Sequence, residues 1–210
     1  MLHVDDKEEE SVEEVAGLLS CGDEKRQGLL ATAEVLVEDS YRQLSTVRSL
    51  IDGGAQASFI TEPCVKRLGL VMKEAVVGLL GLGNKKLAHP LGKVDLVLRS
   101  NYDDEFYLHV QAFVLPQVTG LQPSAPFEND WLHLKGLKLA DPSFNIPQGV
   151  DMILGVDTKA EIMLGGFIKG PLGMPVAELT VFGWIIWGPV GTEHTDVVEE
   201  HVQINIRNSY

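Results

Sequence analysis

Cysteine is scarce: only Cys21 and Cys64 occur among 210 residues. They form no C-x-x-C and stand near no histidine pair, so a disulfide framework is not expected and a reducing compartment is. Positive charge is scarce too. Seventeen Lys and Arg face thirty Asp and Glu, for a formal net charge of -13. A nucleic-acid partner needs a basic face for its phosphates, so none is expected. No segment reaches the roughly 18 uninterrupted apolar residues of a membrane span, and no basic-then-apolar leader opens the sequence. Neither membrane insertion nor secretion is therefore indicated, and a cytoplasmic location is expected. The six histidines (His3, His89, His109, His133, His194 and His201) never adopt metal-ligand spacing, so no metal and no cofactor is expected. No G-x-S-x-G elbow is present. The run G-L-L-G-L-G at 78–83 lacks a Gly-Lys-Ser/Thr ending, lies in strand-like sequence and is soon followed by Pro90. It does not read as a phosphate loop.

What is present is globular. Hydrophobic residues make up 45% of the chain and charged residues 22%, enough for one buried core with extensions. Twenty-one glycines and ten prolines imply many turns and favour a β-rich fold over a helix bundle. Residues 1–27 are an acidic extension containing VDDKEEESVEE, read as a solvated tail. Residues 28–190 are the folded domain, and 191–210 a polar tail.

Within the domain the apolar period is mostly two. Leu29–Val37 and Thr46–Ile51 read as a hairpin. Thr61, Pro63 and Gly69 place a cap, a first-turn proline and a stop around a two-turn helix, E-P-C-V-K-R-L. The stretch KEAVVGLLGLGNKKLAHPLGKVDLVLRS reads as a second hairpin whose tip is loosened by Gly78, Gly81 and Gly83. Val94, Leu96 and Leu98 alternate, as do Phe106, Leu108, Val110, Ala112 and Val114, giving half-buried antiparallel strands. Thr119–Gly149 is a long irregular excursion anchored by Trp131, Leu134, Leu137 and Leu139. VDMILG is a short apolar strand. Thr158 and Glu161 fit a capping box, so a helix is expected to start there. After the turn-rich GGFIKGPLGMP the domain closes with a strand pair in ELTVFGWIIWGPV. Trp184 and Trp187 suit core or dimer-interface packing, and Cys64 a buried thiol.

The stretch SLIDGGAQASFI carries the functional question. Aspartate followed by glycine at a strand end is usually only a turn. Here, though, an apolar strand runs directly into Asp52-Gly53-Gly54-Ala55, a small polar segment and a capped helix follow, and a second apolar strand ends far downstream in Ile153-Leu154-Gly155. This order of parts resembles the retroviral-type aspartic proteases. LLATAEVLV, DGGAQASFITEPCVKRLGL, LKGLKLADPSFNIP, VDMILGVD and TVFGWIIWG are similar to the protease region of BEL/Pao-type retrotransposon gag-pol polyproteins, over about Gly28 to Gly188.

The resemblance implies an all-β-dominated, retropepsin-like acid protease fold. It is a closed β-barrel half with a flap and short helices, one lobe per chain. It implies Asp52 as the catalytic carboxylate, with Gly54, Ala55 and Gln56 lining the substrate cleft and Gly81 and Gly83 at the flap tip. Gly53, Ile153, Leu154 and Gly155 would support the dyad loop. Two carboxylates sharing one proton are required, and one chain supplies a single such loop, so the partner is a second copy of the chain. The substrate is a polypeptide, expected to be the element's own polyprotein, in the cytoplasm or within retroelement particles. Asp151 and Asp157 are expected to be structural, the latter at a helix N-terminus. The family places Thr or Ser where Gly53 stands, and that hydroxyl bonds to the partner beneath the dyad. Its absence implies a weakened dimer and impaired activity. The alternative is a degenerate or domesticated module that dimerises or binds peptides without cleaving them.

Overall fold

The protein is described by a computed structural model over residues 26–79, 89–191 and 204–205. In chain order its elements are β1 (Arg26–Leu29), β2 (Thr32–Glu38), β3 (Leu44–Ile51), β4 (Ser58–Thr61), α1 (Glu62–Leu68), β5 (Gly92–Arg99) and β6 (Tyr107–Leu115), followed by β7 (Met152–Leu154), α2 (Val156–Ile162), β8 (Met163–Lys169), β9 (Val176–Thr180), β10 (Gly183–Gly191) and β11 (Ile204–Asn205). Strands β2, β3, β7, β4, β6 and β5 close in that order into a barrel, and β1, β10, β9, β8 and β11 form a second sheet. The expected β-dominated class, with a closed barrel and a few short helices, is thus what the chain adopts.

Alternation builds the barrel. Ala33, Val35 and Val37 of β2, Val94, Leu96 and Leu98 of β5, and Val110, Ala112 and Val114 of β6 point into one core. Each large side chain so buried contributes about 1.5–3 kcal/mol relative to exposure. β3 and β7 are different. They pair in parallel, Ser49↔Met152 to Ile51↔Leu154, and both faces of the pair are covered. Ile51 and Leu154 face the barrel core, while Leu50 and Ile153 pack with Leu115, Val118 and Val150 outside it. That is why β7 reads as a continuous apolar run, and why β3 ends in the adjacent apolar pair Leu50-Ile51 rather than alternating to its end.

Helix α1 forms as its caps dictate. Thr61 Oγ1 accepts from Cys64 N at 3.3 Å, and Gly69 stops the helix at φ 63°. The helix buries Cys64, Val65 and Leu68. Burial pushes the Cys64 thiol up to about 12; the Asp151 carboxylate adds to the rise and Arg67 opposes it. Cys64 is thus an inert packing residue.

Three expectations need correction. GGFIKGPLGMP is not simply turn: its first residues belong to β8, which pairs with β9 through a register shift between Met163 and Phe167. Gly165 supplies a φ of +78° there, and a Cβ on Gly166 would lie 2.7 Å from the Leu179 side chain. These glycines serve a bulge and a close approach. Helix α2 begins at Val156, capped by Gly155 without a side-chain bond, rather than at Thr158. Finally, the hairpin expected over residues 73–100 is reduced, among the described residues, to a Lys73↔Lys93 bridge ahead of β5. Lys73 also pairs with Asp95, and that bond, helped by Gln111, holds the Asp95 carboxyl below its ordinary value.

The excursion at 119–149 is irregular, as expected, but firmly anchored. Trp131, Leu134, Leu137 and Leu139 pack with Phe127, Phe144 and Trp184 against the second sheet. Segment 138–140 joins barrel to sheet: Ala140 O accepts from Glu34 N at 2.7 Å, and Ala140 N donates to Trp184 O at 2.8 Å. The polar anchor is Arg48 on β3. Its Nε donates to Asp141 Oδ2 at 2.8 Å, and one terminal nitrogen reaches Gln122 O at 2.8 Å and Gln148 O at 3.1 Å. Asp141 also accepts from Thr32 Oγ1 at 2.6 Å. The two charged side chains are 9% and 1% exposed, so neither tolerates losing its partner. Asp141→Ala is expected to cost about 3–5 kcal/mol in urea unfolding, whereas the double change Arg48→Met with Asp141→Leu costs less than that single one, because no lone charge stays buried.

Candidate active site

The parallel pairing of β3 and β7 brings two strand ends to the same edge of the barrel. β3 delivers Asp52 and β7 delivers Gly155. The register continues one step past the strands, with Asp52 N donating to Leu154 O at 2.9 Å. On the other side Ile51 N donates to Ala31 O at 2.9 Å. Asp52 therefore leaves a backbone gripped from both flanks.

The next residues fold over as a turn. Asp52 Oδ1 accepts from Gly54 N at 2.8 Å, the local bond that short acidic side chains make at turns. Ala55 N donates to Asp52 O at 3.3 Å, and Ala55 O accepts from Val156 N at 2.8 Å. Asp52 is half-buried, while Gly53, Gly54 and Gln56 are exposed. Among the described residues the second Oδ of Asp52 has no hydrogen-bond partner.

Gly155 is the residue on which this arrangement closes. A Cβ there would lie 2.7 Å from both C and O of Ala57 and 3.0 Å from Ala55 O. Those are backbone atoms, and backbone atoms cannot swing away. Gly155 N donates to Ser58 Oγ at 3.1 Å, and Ser58 Oγ lies 3.2 Å from Thr158 Oγ1. Ser58 and Thr158, both buried, thus pin the underside of the loop to α2. Ser58 carries no motif signal, and Thr158 was absorbed by the capping-box pattern. Lys159 was missed as well. It lies beside Gly53, with its Nζ 4.0 Å from Glu178 Oε2.

Gly53 differs from Gly155. A Cβ there would meet nothing closer than 3.6 Å, and the residue does not hold a positive φ. Neither space nor backbone conformation demands glycine.

The structure brings Asp52, Gly53, Gly54, Ala55, Leu154 and Gly155 together, with Ile153 immediately behind. Ala55 packs, with Leu30, Phe59 and Leu79, against the Leu50–Ile153 cluster. Gln56 is on the exposed shoulder of the loop. Gly81 and Gly83 lie outside the described residues. Asp151 is at the opposite end of β7, where its carboxylate accepts from Thr61 Oγ1 at 3.1 Å and Arg67 Nη2 at 2.7 Å. That bond raises the Arg67 guanidinium further above its ordinary value. Asp157 sits in the first turn of α2, where it accepts from Thr158 N at 2.7 Å. A groove of about 370 Å³ opens at the far end of the barrel, lined by Glu38, Arg42, Arg99 and Asp104 among others. Its Glu38–Arg99 pair is self-satisfied, and nothing there places a nucleophile against a base.

No family model and no curated protein matches this chain. Among solved structures, the chain is similar to the retroviral protease-like domain of Ddi1 from Leishmania major. The two are 13% identical with a TM-score of 0.33, over 79% of this chain and 99% of that one.

The geometry separates the two glycines. Gly155→Ala is expected to destabilise the chain by about 1–3 kcal/mol or more, since the added methyl is driven into fixed backbone. Gly53→Ala is expected to be neutral or to stabilise by about 0.4–1 kcal/mol through reduced freedom of the unfolded chain. Paired thermal and urea melts check both.

Proposed function

We propose that this chain is an aspartic endopeptidase of the retropepsin-like type that acts as a homodimer, with Asp52 of each copy facing the other across a two-fold axis. One observation carries the reading. A carboxylate stands at the end of a barrel strand on an exposed glycine turn, and a parallel strand ending in an obligatory glycine clamps that turn from below.

The chemistry follows from charge. Two carboxylates brought together do not both ionise cheaply, so one stays protonated and the other serves as base. The base removes a proton from a water whose oxygen bonds to the scissile carbonyl carbon, while the acid protonates the carbonyl oxygen. A proton then passes to the amide nitrogen as the C–N bond breaks. Gly54 leaves room for substrate backbone beside Asp52, and Ala55 and Gln56 lie along its path. The glycines at 81 and 83 belong to the flap in this reading.

The order of sequence parts supports a BEL/Pao-type retrotransposon origin, with the element's own polyprotein as substrate and the cytoplasm or retroelement particles as the place of action. Gly53 favours a second reading, a protease-fold module that associates or binds peptide without cleaving.

The two readings part on one assay. The full chain, incubated with peptide mixtures at mildly acidic pH, is expected to cleave, and Asp52→Asn is expected to lower the rate by about 10²–10⁴-fold. Equal rates in the two proteins remove the peptidase reading. A silent native chain that Gly53→Ser makes active identifies a degenerate enzyme.

A further inference from the structure

Gly53 has no side chain, yet Lys159 lies at ordinary contact distance from where one would begin. A Cβ built on Gly53 would lie 3.6 Å from Lys159 Cδ and 3.7 Å from Lys159 Nζ. The tip of the lysine thus lies beside the point from which a side chain at position 53 would start. Its backbone is held in α2, where Lys159 N donates to Gly155 O at 2.8 Å, so the side chain starts one helical turn after the glycine that clamps the loop.

The ammonium has unspent capacity. It carries three donors, and among the described residues its partner is Glu178 Oε2 at 4.0 Å, the outer limit of an ion pair. That carboxylate oxygen is itself engaged by Trp187 Nε1 at 3.1 Å. The lysine side chain is 31% exposed. Close by, the carbonyls of Gly53 and Gly54 meet no donor among the described residues, and both glycines face solvent. Donors without acceptors and acceptors without donors thus sit together on one surface. Glu178 offsets the lysine charge, so two copies meeting there do not oppose bare cations.

We propose that Lys159 is a positioning residue whose ammonium replaces the missing hydroxyl at position 53 and donates across the two-fold axis to the glycine loop of a second copy. The inference rests on the dimeric reading given above. It assigns to α2 a contact that the loop itself cannot make, and it accounts for a glycine at 53 that neither backbone nor space requires.

The test is self-association of the full chain by sedimentation, for the native protein, Lys159→Met, Gly53→Ser and the double variant. Methionine keeps the apolar stem and removes the donors. Lys159→Met is expected to raise the dimer dissociation constant by about tenfold or more, as for loss of a charge-assisted hydrogen bond, with an unchanged unfolding midpoint of the dilute monomer. Gly53→Ser is expected to recover association in the Lys159→Met background, which a merely structural lysine does not allow. A native chain that stays monomeric overturns the proposal. So does Lys159→Met associating as the native chain does, or a double variant that shows no recovery. Peptide cleavage, measured on the same samples, separates this from the peptidase reading. Association that depends on Lys159 without Asp52-dependent cleavage leaves the lysine assignment standing alone. Cleavage with Lys159-independent association removes only the lysine.

Discussion

One backbone hydrogen bond, Asp52 N to Leu154 O, fixes the geometry on which the rest of the site depends. It is the last rung of a parallel ladder between strands about a hundred residues apart in sequence. A turn of two glycines has little conformational preference of its own, so the position of Asp52 is imposed from outside. The imposing element is β7, and its following residue must be glycine because a Cβ there would collide with the loop backbone at Ala57. The loop is therefore a product of tertiary pairing, and its order stands or falls with β3–β7.

That pairing is in turn held by the irregular part of the chain. Arg48 lies on β3, four residues before Asp52. Its guanidinium collects the Gln122 and Gln148 carbonyls and the Asp141 carboxylate, while its own carbonyl accepts from Asp151 N at 3.0 Å at the start of β7. Excursion, β3 and β7 thus share one residue. Long loops inside compact domains need such anchors, because their backbone groups lack ladder partners. Here the anchor lies on the strand that carries the candidate carboxylate, so stability and site geometry are coupled through Arg48.

The parts legible in the sequence were those encoded locally. Thr61, Pro63 and Gly69 marked α1 within a few residues, and alternation in β2, β5 and β6 showed which side chains enter the barrel. The closing pair β9–β10 was legible from its apolar run. Elements set by distant partners were not. Strand β8 was hidden by Gly165 and Gly166, which look like turn residues but serve a bulge and the close approach of Leu179. Thr158 mimicked a cap, whereas its hydroxyl is used by Ser58, a hundred positions away. Asp52 and Ile153-Leu154-Gly155 were legible as motifs, and their juxtaposition only through resemblance. The place of Lys159 beside Gly53 left no local trace, since a lysine on a short helix looks like any solvated side chain.

The pairing of β1 with β10 has a topological consequence. Arg26 lies opposite Gly191 in an antiparallel register, so the strand ahead of the barrel in sequence is paired with a strand that follows it. The whole barrel, from Thr32 to Leu154, is thereby enclosed in sequence between two paired strands, so its way in and its way out are stitched to one sheet.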